Sequence, residues 1–159
     1  MENIVYLNGT LVPRSEAYIS VSDHGFLYGY GLFQTMRAYN GKMFLVDRHV
    51  KRLRDAAEII GMGPKLAGLD LEKACRETLA ANKLKDARVR LTVTNGEGSA
   101  LPWVDVGGAP TVVVTAVPYT PFPPQKYEEG FKVGLASVRR ARQSVVSSIK
   151  SINLSLIHI

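Results

Sequence analysis

Cysteine is almost absent: Cys75 stands alone among 159 residues. No internal disulfide can form, which agrees with a reducing compartment and makes a cytoplasmic location the expectation. No apolar run approaches the roughly 20 residues of a membrane-spanning helix. The opening MENIVYLNGTLVPRSEAY has neither a basic head nor a continuous apolar stretch, so it does not read as a secretory signal. Internal repeats and low-complexity segments are missing as well, which excludes solenoids and compositionally disordered chains.

A basic tail is also missing, although the net charge is +6. The cations fall in short clusters: Lys51, Arg52 and Arg54; Arg88 and Arg90; Arg139, Arg140 and Arg142. Acidic residues are interleaved through much of the chain, and no nucleic-acid signature accompanies them, so no nucleic-acid partner is expected. A pocket for a small anionic ligand explains separated arginines at least as well. His24 and His49 have no neighbours at metal-ligand spacing, so they read as structural and no metal is expected. No Ser-His-Asp set is discernible. Gly29 and Gly31 lack the spacing and the following helix of a dinucleotide fingerprint.

What remains is globular. Apolar residues make up 46% of the chain and charged residues 21%, enough for a real core in one domain, or one small domain plus part of another. IVYLNGTLV (4–12) reads as a β-hairpin about Asn8-Gly9, and the device recurs about Asn40-Gly41. Between them, Gly25, Gly29 and Gly31 mark a segment where the backbone bends or approaches another group closely.

DRHVKRLRDAAEIIGMG (47–63) changes period. Val50, Leu53, Ala56, Ala57 and Ile60 follow helical spacing, with Asp47 as N-cap and Gly61 as stop. A second helix is expected from about Asp70 to Asn82, burying Leu71, Ala74, Cys75, Thr78 and Leu79. ARVRLTVTN (87–95) alternates like a half-buried strand, and PTVVVTAVPY (110–119) is a more apolar one. TPFPPQ (120–125), with three prolines, reads as an interdomain linker rather than helix or central strand. FKVGLASVRR (131–140) reads as a strand opening a second domain too short to stand alone.

Two side chains stand out chemically. Lys150 lies in SSIKSIN, a small, uncharged and partly apolar setting. A lysine is a nucleophile only when unprotonated, a state favoured by burial or a nearby cation. The ordinary alternative is a surface lysine with a snorkelling stem. Arg52 falls in the second turn of the first helix, where its planar fork of donors suits a phosphate. Its ordinary alternative is a solvated face of Lys51, Arg54, Asp55 and Glu58 pairs.

SDHGFLYGYGLFQTMRAYNGKMFLVDRHVKRL (22–53) resembles the fold-type IV pyridoxal-phosphate enzymes, the class IV aminotransferases, which include branched-chain and D-amino-acid aminotransferases and aminodeoxychorismate lyase. The shared pattern comprises Asp23, Gly25, Phe26, Tyr28, Gly29, Gly31, Phe33, Thr35, Arg37, then Tyr39-Asn40-Gly41, then His49, Arg52 and Leu53. RVRLTVTNGEG, TVVVTAVPY and SIKSIN resemble later segments in order, so the likeness covers residues 1–153.

The resemblance implies pyridoxal 5'-phosphate as cofactor, Lys150 as the catalytic amine that bonds its aldehyde, and Arg52 as ligand of its phosphate. It places Tyr28, Phe33, Arg37 and Arg90 on segments that line the substrate side. It implies an amino acid, with the branched-chain ones as candidates, and a 2-oxo acid as substrates, and a homodimer at full length. Lysis of aminodeoxychorismate is the alternative activity, and a non-catalytic binding domain on the same scaffold is a third. The implied fold is α+β: a small domain (1–119) with an antiparallel sheet and two helices, the linker 120–125, then the start of a cofactor domain (126–153).

Three departures matter. Gln34 stands where the family usually has Glu, which is expected to remove a charge near the substrate side. Asn95 stands where the D-amino-acid branch tends to carry a carboxylate-binding arginine, which argues against that branch, whereas Arg90 fits the branched-chain pattern. Family members also continue past the lysine with a glutamate for the pyridine nitrogen. Leu154 to Ile159 translate CTGTCTCTTATACACATC, which resembles a transposon end used in sequencing libraries, so 154–159 reads as a scar after a truncation.

Overall fold

Asn8 and Gly9 take φ angles of 48° and 99°, and Asn40 and Gly41 take 51° and 76°, the backbone that a tight hairpin matched to strand twist requires. In this computed structural model, which describes residues 3–99, 108–135, 137 and 143–154, the first turn joins β1 (Ile4–Leu7) to β2 (Thr10–Pro13). The second joins β3 (Gly31–Tyr39) to β4 (Lys42–Met43). With β5 (Ala87–Thr94) and β6 (Thr111–Pro118) they form one six-stranded sheet, ordered β2-β1-β6-β5-β3-β4. Every pairing is antiparallel.

The pleat decides which residues build the core. Ala87, Val89, Leu91 and Val93 of β5 are buried on one face, while Arg88 and Arg90 point to the other. A one-turn helix, α1 (His24–Tyr28), precedes β3. The buried face of the sheet is covered by α2 (Val46–Ile59), the short α3 (Gly63–Leu66) and α4 (Leu71–Ala81). Leu53, Ala57, Met62, Leu66, Cys75 and Leu79 meet the strands there. Burial pushes the Cys75 thiol up to about 12, so it behaves as a small apolar filler. The architecture is α+β, as the sequence implies.

α4 matches its expected span closely. Asp70 caps it by accepting from Lys73 N (2.9 Å), and Asn82 closes it. α2 starts differently. Its cap is Leu45, held in the left-handed region at φ 50°, and Asp47 already lies inside the first turn, so it complements the helix dipole instead of capping. TPFPPQ is not wholly irregular: Pro124 opens α5 (Pro124–Glu129), because a first-turn position has no helical hydrogen bond for proline to lose. The strand expected from Phe131 is not formed over residues 131–135, where Val133 and Leu135 are exposed. Positions 136 and 138–140 of that stretch lie outside the described residues. A final turn, α6 (Val145–Ser148), leads into the lysine segment.

Candidate active site

The lysine segment reaches the sheet at one defined place. Leu32 and Ser151 form an isolated antiparallel bridge. Phe33 N donates to Lys150 O (3.0 Å), and Ile152 N donates to Gly31 O (3.1 Å). β5 takes one edge of β3 along residues 31–38, so the segment shares the other edge with β4, which pairs at Ala38 and Tyr39. Glycine is required at the junction. A Cβ on Gly31 would come 2.6 Å from Val93 O and 2.9 Å from Ile152 Cδ1. Gly29, at φ 67°, ends α1 and turns the chain into β3.

Lys150 Nζ lies 4.5 Å from the centroid of the buried Phe33 ring, and Arg90 Cζ lies 4.1 Å from the same ring. Phe33 therefore gathers two cations over one aromatic surface. Burial, with neighbouring Arg88 second, lowers the Arg90 pKa. Arg90 also lines a cleft of about 340 Å³ with Ile19, Val21, Phe26, Thr92 and Ile152. Tyr28 borders a second cleft of about 320 Å³, shared with Val146, Ile149, Ser151 and Asn153.

On the helix side, Arg52 is turned toward the sheet. Its Nε donates to Gln34 Oε1 (3.1 Å), and its Nη2 donates to the same oxygen. His49 Nδ1 sits 3.3 Å from Arg52 Nη2 and 3.4 Å from Gln34 Oε1. Burial lowers the His49 pKa below the usual 6.5, and the charges of Arg52 and Lys150 lower it further. Lys150 is thus close enough to act on the ring of the helix that carries Arg52.

The neighbouring cations have other duties. Lys51 pairs with Asp55 (2.7 Å), and Arg54 donates to the carbonyls of Leu66 and Leu69 (2.6 Å each). Among the described residues, none of Lys150, Arg52 and Arg90 has a carboxylate within 4.0 Å. An amine and a guanidinium with uncompensated charge, steadied by neutral groups, fit a phosphorylated carbonyl compound.

Arg37 does not join this group. It stacks on Tyr119 (3.4 Å to the centroid) and Tyr39 (4.8 Å), and reaches Asp86 at 3.8 Å. Gln34 faces α2 rather than the substrate side, which corrects the expectation for that position. His49 was missed as a member of the site, and only its spacing to Arg52, one helical turn, pointed there. His24 is structural: its buried ring lies between Asn95 Nδ2 (2.9 Å) and Ser99 O (3.1 Å). Asn95 is held in the same buried network, and its carbonyl accepts from Lys65 Nζ (3.0 Å).

The same architecture and segments recur in known proteins. The model of the class IV amino-transferase family matches residues 31–157. A putative branched-chain-amino-acid aminotransferase of Methanocaldococcus jannaschii is 38% identical over 156 residues, covering 94% of this chain and 51% of that protein. The D-alanine aminotransferase of Bacillus licheniformis is 31% identical over 151 residues, 94% of this chain and 52% of that one.

Among solved structures, the branched-chain aminotransferase of Escherichia coli superposes with a TM-score of 0.77 over 95% of this chain and 52% of its own, at 22% identity. The 4-amino-4-deoxychorismate lyase of Pseudomonas aeruginosa gives 0.75 over 94% and 52%, at 27% identity. A further branched-chain aminotransferase, solved with N-(5'-phosphopyridoxyl)-L-glutamate, gives 0.61 over 75% and 41%, at 25% identity. The chain belongs to the class IV aminotransferases. It spans about half the length of the curated relatives it matches.

Proposed function

We propose that this chain contributes the amine, the phosphate anchor and part of the substrate wall of a pyridoxal-phosphate-dependent aminotransferase. The reaction moves an amino group between an amino acid, branched-chain by preference, and a 2-oxo acid. The observation that carries this reading is the pinning of Lys150 to the edge of β3, beside Phe33 and within electrostatic reach of His49, the helical neighbour of Arg52. Residues 1–119 form the small domain, 120–125 the linker and 126–153 the opening of the cofactor domain. The intact enzyme is a homodimer.

Each residue has a task that its position supports. Arg52 binds the phosphate through the donors not engaged by Gln34. Pyridoxal phosphate, when bound, supplies an aldehyde and a ring that draws electrons from the substrate's Cα–H bond. Lys150 holds the cofactor at rest and, once released, carries the proton at Cα. Arg90, in a cleft with apolar walls, attracts a substrate carboxylate, and Tyr28 and Phe33 shape the space around it. Arg37, held between two tyrosines, keeps the far end of that wall rigid.

The lyase reading has one specific support, the likeness to the Pseudomonas aeruginosa lyase. Pyruvate release without an amino acceptor, measured in a protein that joins this chain to the other half of the fold, would favour it. The 159-residue chain alone is expected to bind pyridoxal phosphate weakly and to transaminate little. Incubation with pyridoxal phosphate, borohydride reduction and peptide mass spectrometry should place a pyridoxyl group on Lys150. The same treatment of Lys150→Ala should leave the peptide unlabelled. Equal labelling of other lysines, with none at Lys150, would end the assignment.

A further inference from the structure

We propose that Gln34 is the positioning residue for Arg52, and that its neutral amide keeps the anion site one charge more positive than a carboxylate would. The proposal rests on the reading of Arg52 as the phosphate anchor. The pleat of β3 sets where residue 34 points. Phe33 and Thr35 face the open side of the sheet, so Gln34 faces the helices, where it is 1% exposed and locked in place by packing.

Its Oε1 takes both Nε–H and one Nη2–H of Arg52, so two donors on one edge of the guanidinium share one acceptor. A neutral His49 closes the same corner. Its Nδ1 either accepts from Nη2 or donates to Oε1, and in both tautomers the ring adds no charge. The Nη1 group has no acceptor among the described residues. One edge of the fork is thus held and the other is presented to a ligand.

Two consequences separate this from simple packing. Fixing Arg52 before the anion arrives removes the entropy cost of ordering a long side chain on binding. A carboxylate at position 34 would hold the guanidinium equally well but would cancel its charge, so a phosphate dianion would be attracted less. The first effect depends on an acceptor at position 34. The second depends on that acceptor being neutral.

The test uses the chain with Gln34→Glu, Gln34→Met, Gln34→Ala and Arg52→Ala. Pyridoxal 5'-phosphate and pyridoxal are titrated against each, so that the ratio of their dissociation constants isolates the phosphate. In parallel, the Arg52 Nε–H resonance is followed by 15N NMR without ligand. Gln34→Met and Gln34→Ala should lower the phosphate-dependent ratio about tenfold, the loss of one charge-assisted bond. They should also move the Nε–H signal to its free-arginine position.

Gln34→Glu should keep a shifted Nε–H signal yet bind the phosphate about threefold or more weakly at low salt, the gap closing as salt screens the charge. An unchanged Nε–H signal in Gln34→Met, or Gln34→Glu binding as tightly as the parent at low salt, would overturn the proposal. If Arg52→Ala keeps the full phosphate preference while Gln34→Met still frees the Nε–H signal, the phosphate reading fails and the positioning stands.

Discussion

At the scale of single residues, the cations Lys150, Arg52 and Arg90 are held by neutral partners, and His49 beside them has a pKa lowered by burial and by the charges of Arg52 and Lys150. Its folded pKa lies below 6.5, so on acidification the unfolded chain takes up that proton first. The stability His49 contributes is therefore complete above about pH 6.5 and is lost as the pH falls through its folded value. Urea midpoints measured from pH 8 down to 5 should decline, and His49→Asn should flatten that decline. An identical slope in the variant would show that other groups carry the effect. Lys150, Arg52 and Phe33 are singled out by the resemblance rather than by local signals. On its own flank Lys150 reads as a snorkelling surface lysine, and Arg52 as part of a solvated helix face. The partnership of Gln34 with Arg52 was not legible. It joins a strand to a helix, and the face that residue 34 adopts depends on a register that a single sequence does not state.

At the scale of elements, local signals were read well where they are local. Asn-Gly turns hold positive φ within two residues, and the caps of α4 act within one turn, so both hairpins and that helix follow directly from sequence. The start of α2 was misplaced because Leu45 has no side chain that signals a cap. α1 was missed because five residues are too few to show a helical period. The stretch after Phe131 has strand-like alternation, but residues 131–135 have no partner strand among the described residues, and Val133 and Leu135 are exposed.

One link between elements is a single amide. Asn82 Oδ1 accepts from Ile4 N, and its Nδ2 donates to the carbonyls of Ile4 and Thr78, each at 2.8 Å. Asn82 therefore extends β1 as if it were a short length of strand and ties it to the end of α4. Asn82→Ala should cost about 1–3 kcal/mol in denaturant unfolding, since two backbone groups of Ile4 lose their partners. Amide exchange should rise in β1 and β2 before it rises in β5. A uniform rise would argue against a local clasp.

At the scale of the whole molecule, the described residues give a sheet with one face sealed by helices and the other free of them. Phe33, Arg37, Arg88 and Arg90 stand on the open face, and Ile19, Val21 and Phe26 line a cleft beside it. No helix among the described residues is long and apolar enough to cross a membrane. The two hydrogen bonds that hold the lysine segment join residues 33 and 31 to residues 150 and 152, across most of the described chain. Contacts of such high contact order close a very large loop, and they form after local hairpins and helices have already been rewarded. The segment that carries Lys150 thus docks last. Hydrogen exchange on a refolding chain should show protection at the β3–β5 pairs first and at Phe33 and Ile152 in a later phase. A chain with every hairpin and helix complete would still hold Lys150 away from Phe33 until residues 150–152 returned to the edge of β3.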